Sequence, residues 1–134
     1  MSGVKYPNAR RHVIGAVAEL ADAEYQQRVW IDHQYPTPTY YSDLRMVIHT
    51  LYDDWMVLPD PDAAVGSILV AGDEVERLRN LGVVLDLVID ELYGEPDAIR
   101  LADPRWPEVV RRAGLALAAM VRAGLGWPTA DETG

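Results

Sequence analysis

"DEVERLRNLGVVLDLVIDELYGEP", Asp73 to Pro96, decides the fold class. Val75, Leu78, Leu81, Leu85, Val88, Ile89 and Leu92 recur at intervals of three and four residues, the period of one face of an α-helix. Asp73 supplies an N-cap acceptor, and Gly94 with Pro96 ends the run after Tyr93. Val83, Val84 and Leu87 add apolar side chains off that face, so the middle of the segment is hydrophobic nearly all round. Such a helix belongs in the centre of a bundle.

The flanking segments are read outward from it. "SILV", residues 67–70, is a buried strand or a turn, and four residues are too few for periodicity to choose. Before it, Asp60 and Pro61 suit the N-cap and first position of a single helical turn ending at Gly66. Leu44, Val47, Ile48, Leu51, Tyr52 and Trp55 form one apolar stripe of a further helix, which makes Trp55 a core residue. Ser42 is its expected N-cap, Asp43 suits the first turn, and Tyr41 with Met46 fits a hydrophobic staple.

Asp22 caps a short helix that points Tyr25, Val29 and Trp30 one way. Asn8 caps the first helix, with Val13, Ile14, Val17, Leu20 and Ala21 inward. Arg10 and Arg11 then fall in its first turn, where the macrodipole disfavours cations by about 0.3–1 kcal/mol, so an acid from elsewhere in the fold is expected beside them. Downstream, Asp103 and Pro104 open the last helix, with Val109, Val110, Ala113, Leu117, Met120 and Val121 inward and Trp106 across its start. Trp127 suits an exposed position. The expected fold is all-α, a compact bundle of about five helices around the hydrophobic helix near 73–93. It occupies one domain, residues 8–126, with 1–7 and 127–134 as frayed termini.

A chain of 134 residues is long enough to hide roughly two-thirds of its extended surface without disulfides or metals. It has no cysteine, hence no disulfide framework, no thiol nucleophile and no cysteine-ligated zinc. Glu19 and Asp22 interrupt the apolar segment after Arg10 and Arg11 too early for an export leader, and "AGLALAAMV" is too short to span a bilayer. A cytoplasmic protein is expected. The charge is uneven: residues 51–99 carry twelve acids against Arg77 and Arg79, on a chain whose net charge is −9. That field repels phosphate backbones and anionic lipid and attracts cations, so neither nucleic acid nor membrane is an expected partner and a basic protein is.

"HQYPTPTYYSD", His33 to Asp43, is the aromatic loop. Pro36 and Pro38 hold it extended and stiff, which lowers the ordering cost of presenting Tyr35 and Tyr40 to a partner, whereas Tyr41 is expected to pack. Asp53, Asp54, Asp60 and Asp62 form the acidic counterpart of this candidate partner-binding surface. His49 and Asp53 stand four apart, the spacing of two metal ligands on one helix face, but a ladder of Arg45, His49 and Asp53 surface pairs explains the same residues. No EF-hand loop, nucleophile elbow, phosphate-cradling glycine loop or zinc-protease motif occurs, so no catalytic residue and no cofactor is expected.

"RVWIDHQYP", "YYSDLRMVIHTLYDDW", "LPDP", "VGSILVAGDEV" and "LADPRWPEVVRRAG" together resemble a group of small uncharacterised acidic helical proteins of actinobacterial type, over residues 10 to 125. The resemblance implies a fold and transfers no catalytic residue. The small, acidic, cysteine-free format is also similar to that of bacterial immunity proteins, by analogy alone. The leading expectation is therefore a non-enzymatic acidic interaction module, such as an inhibitor or immunity protein for a basic partner. The alternatives are a small metal-assisted hydrolase centred on His49 and Asp53, and a helical domain with a tyrosine-lined ligand pocket.

Overall fold

In the computed structural model, which describes residues 4–58 and 60–124, Asp73–Glu91 is a helix (α4), and its Val75, Leu78, Leu81, Leu85 and Val88 are buried. The remaining α-helices are α1, Pro7–Leu20; α2, Ala23–Tyr25; α3, Leu44–Ile48; α5, Asp97–Leu101; and α6, Trp106–Ala123, and the expected single turn after Asp60 is a 3-10 helix, Pro61–Ala64. Two of them widen without a break into π-helical stretches, α2 into Gln26–Ile31 and α3 into His49–Asp54. The fold is all-α, with no strand among the described residues; the 67–70 segment is a turn closed by an isolated bridge between Val65 and Leu69. α4 packs along α6, and α6 along α1, and the core lies between them. No helix among the described residues is long and apolar enough to cross a membrane.

The packing explains why these segments are ordered. α6 buries Trp106, Val109, Ala113, Ala116, Ala119 and Met120, and its alanines permit close approach to both neighbours. α4 is not enclosed all round: Val83 and Leu87 lie on its outer side at 58% and 48% exposure, and Val121 on α6, expected inward, is exposed as well. The helical period of 3.6 residues leaves these positions on the face opposite the contact with the partner helix.

Helix ends differ from expectation by a residue or more. Pro7 stands in the first turn of α1, with Tyr6 rather than Asn8 at the N-cap. Of the N-terminal segment expected to fray, Val4 is buried, and Lys5 and Tyr6 donate backbone hydrogen bonds to Gly66 and Ser67 at 2.9 and 2.8 Å. Asp43 caps α3 through Met46 N–H at 2.9 Å, while Asp22 caps α2 as expected. Asp73 is the first residue of α4 and Gly72 its N-cap, with φ of 119° that a side chain resists. α6 starts at Trp106, while Asp103 accepts the Arg105 N–H in the turn before it. Trp127 and the 127–134 tail lie outside the described residues.

Trp55 is the clearest correction to the core. The preceding π-helical stretch carries an i→i−5 bond, Trp55 N–H to Thr50 oxygen at 3.2 Å, and such a turn takes more than 3.6 residues. The stripe therefore rotates out of register: Leu44, Val47 and Leu51 are buried, and Trp55 is 36% exposed. Among the described residues the buried polar side chains Arg10, Gln26, Ser42 and Glu74 have partners, whereas the buried Arg100 Nε has none. Gln26, at the start of the other π-helical stretch, donates to the Glu19 and Leu20 carbonyls at the end of α1 and accepts from Trp106 Nε1 at 2.9 Å.

Candidate functional site

α1 carries Arg11, His12, Gly15 and Glu19 along one side, since residues three and four apart share a helix face. α3 and its π-helical extension bring Met46 and Thr50 opposite them, and Tyr40, Tyr41 and Ser42 close one end. Between them runs an open groove of about 550 Å³, within the ~300–1,000 Å³ of small-ligand sites. Its floor is low because Gly15 has no side chain, and a Cβ built there meets nothing within 4 Å.

The closed end is a hydrogen-bonded cluster. Ser42, buried, accepts from Trp30 Nε1 at 3.1 Å and donates to the Glu19 carboxylate, so its hydroxyl is a bridge between elements and not a presented nucleophile. The Tyr25 and Tyr40 hydroxyls bond to each other beside it. Burial pushes the Tyr25 phenol well above its ordinary range; the Ser42 bond opposes that, and Tyr40 and Glu19 add to it. Tyr25 is thus neutral at physiological pH and suited to hydrogen bonding rather than to proton abstraction.

Of the three loop tyrosines, Tyr41 departs from its expected packing. Tyr35 and Tyr40 are half-buried against the core edge, whereas Tyr41 is 55% exposed. Successive side chains alternate along the extended segment before α3, so burying Ser42 turns Tyr41 outward. Tyr41 donates to Asp43 at 2.6 Å instead of stapling to Met46, and that bond raises its pKa. Tyr35 bridges the set, its ring 6.3 Å from Tyr40 and 5.7 Å from Tyr41, with its hydroxyl 2.9 Å from His33 Nδ1.

At the open end His12 lies tilted against Trp55 at 6.5 Å between ring centroids, and Asp53 and Asp54 are the residues just before that tryptophan. The groove thus runs from Tyr40 to His12 and Thr50, and the acids Asp53 and Asp54 lie beyond its lining on the same π-helical stretch as Thr50. The other acids do not stand alone: Asp53 is 2.6 Å from His49 Nδ1, and Asp62 pairs with Arg79 of α4 at 2.6 Å. Asp54 and Asp60 are exposed. His49 and Asp53 remain a two-residue set; among the described residues no group of three or more His, Asp or Glu gathers as metal ligands.

Sequence reading missed Glu19, Ser42, His12 and Gly15 as groove residues. Glu19 interrupting an apolar run was the one available signal, since a carboxylate there needs a partner from another element.

Residues 4–126 match the family model described as domain of unknown function DUF7945, which covers most of the chain, so the chain belongs to that family. No curated protein and no solved structure matches it.

Proposed function

We propose that this chain is a non-enzymatic cytoplasmic interaction module that seats a side chain of a basic protein partner in the groove between α1 and α3, as an inhibitor or immunity protein would. The observation that carries the reading is the groove itself: an open floor at Gly15 and aromatic walls at Tyr40 and Tyr41, with Asp53 and Asp54 following its lining residue Thr50 in the same π-helical stretch. Tyrosines already packed against one another lose little freedom on binding, which favours them as contact residues. Exposed acids beyond the groove speed encounter with a cationic surface. Tyr35 supports the tyrosine wall, and Asp60 and Asp62 extend the acidic field.

The test pairs two variants with the partner recovered from the native host. Gly15→Leu fills the groove at a position with open space above it, and is expected to abolish capture while leaving the circular dichroism unchanged. Replacing Asp53, Asp54, Asp60 and Asp62 by Asn is expected to slow association and remove its salt dependence. A neutral or acidic partner, or one that Gly15→Leu still captures, overturns the reading. The volume of the groove also supports the small-ligand reading, and a low-molecular-weight compound lost from the Gly15→Leu protein would select it.

A further inference from the structure

A second cavity, of about 290 Å³, lies between α4 and α6 and is lined by Arg77, Asn80, Arg111, Arg112 and Leu115. No carboxylate lines it, on a chain with 21 acids and 12 bases. Like charges held together across two packed helices repel, so three guanidiniums facing one cavity need an explanation beyond solvation.

Neighbouring acids position these groups without using them up. Glu108 receives Arg111 through both Nε at 2.9 Å and Nη2 at 2.5 Å, which leaves the Nη1 side of that guanidinium, and Arg112 Nε at 2.7 Å, while Arg112 Nη1 donates to the Asn80 carbonyl at 2.8 Å, tying α6 to α4. Arg77 meets Asp73 through Nε at 3.4 Å, and Asp73 is shared with Arg122 at 2.9 Å. Each guanidinium has five N–H donors, and these bonds engage only some of them. With one Glu108 between Arg111 and Arg112, the wall keeps an excess of positive charge. Helix-surface pairing accounts for the Arg111–Glu108, Arg112–Glu108 and Arg77–Asp73 contacts, but not for three guanidiniums lining one interhelical cavity.

We propose that this cavity binds a phosphate-type oxyanion, as free phosphate or the diphosphate of a small metabolite. A tetrahedral anion accepts from several forks at once, and guanidinium geometry matches phosphate oxygens bidentately. The cavity is at the lower end of small-ligand volumes, which suits a compact, highly charged group. The site is separate from the α1–α3 groove and does not depend on the role proposed for it.

Pyrophosphate is the probe, titrated by calorimetry and by phosphorus NMR at fixed ionic strength. The expected result is saturable one-to-one binding that Arg77→Gln and Arg111→Gln each weaken about tenfold or more, the loss expected of charge-assisted hydrogen bonds. Both positions reach solvent, so both Gln variants should stay folded without ligand, with the melting temperature of Arg111→Gln lowered only by the lost pairing with Glu108, and Arg111→Lys, which retains charge but not the fork, should also bind more weakly. Titration that does not saturate at millimolar pyrophosphate, or a Gln variant binding as tightly as the parent, overturns the assignment.

Discussion

Arg10 and Glu74 close a bidentate ion pair at 2.6 and 2.7 Å with neither side chain reaching solvent. All five donors of Arg10 find acceptors: the two carboxylate oxygens and the carbonyls of Ile68, Met120 and Gly124. Glu74 also accepts the Val70 N–H at 2.8 Å. One pair thereby joins α1, the 65–70 turn, the start of α4 and the end of α6. It is the acid expected to offset a cation in the first turn of α1, and it sits in the first turn of α4, where the helix dipole favours a carboxylate.

Removing either member strands a buried charge. Glu74→Leu or Arg10→Met alone is expected to cost about 3–5 kcal/mol, whereas the two together cost clearly less than the two single losses combined. Urea midpoints of the four proteins in a double-mutant cycle measure it, and additive losses would mean the two side chains act independently.

Gly15 lies inside α1 with space above it, so Gly15→Ala should stabilise the fold by about 0.5–1 kcal/mol through helix propensity. Chemical denaturation checks this, and a loss of stability would show that the groove floor is closed in solution.

Acid should weaken the fold in a defined window. Arg111 and Arg112 hold Glu108, and Arg105 holds Asp103, at about 2, below the ~4 of unfolded carboxylates. Their contribution is therefore complete above about pH 4 and is lost as pH falls towards 2. Glu108→Gln should flatten the stability profile there. Asp97 works in the opposite sense: burial raises its pKa, so its ionisation weighs against folding as pH rises, although it accepts the Leu44 N–H at 3.1 Å. Asp97→Asn keeps an acceptor and should leave stability at pH 7 equal or higher. A drop with Asn would show that the charge itself is needed to cap α3.

His49 and Asp53 are both exposed, and their pairing is a surface contact. His49→Ala should change stability by no more than about 0.5 kcal/mol, and zinc or a chelator should leave the melting temperature unchanged. A zinc-dependent rise of several degrees, lost in His49→Ala, would establish a metal site.

Native-state hydrogen exchange should be slowest from Leu81 to Ile89. Leu81, Leu85 and Val88 are fully buried between α4 and its neighbours, and the outward Val83 and Leu87 still exchange slowly because their amides are bonded within the same helix turns. Faster exchange there than in α1 would place the stable nucleus elsewhere.

The sequence by itself determined the all-helical class, the main face of α4, the cap at Asp22 and the need for an acid near Arg10, because these follow from local spacing and from helix-end chemistry. The tertiary structure decided which acid that was: Glu74 is 64 residues away in the chain, and its spacing from Arg10 carries no periodic signal. It also decided between Ser42 and Asp43 as the α3 cap, two residues of equal local merit, by burying Ser42 under Trp30 and against Glu19. The π-helical stretch at His49–Asp54 moved Trp55 out of the core stripe, and no 3.6-residue pattern encodes such an insertion. The groove and the arginine-lined cavity arise where α1 meets α3 and α4 meets α6. Each is a property of two surfaces brought together, so neither exists along the chain until packing sets which residues face one another.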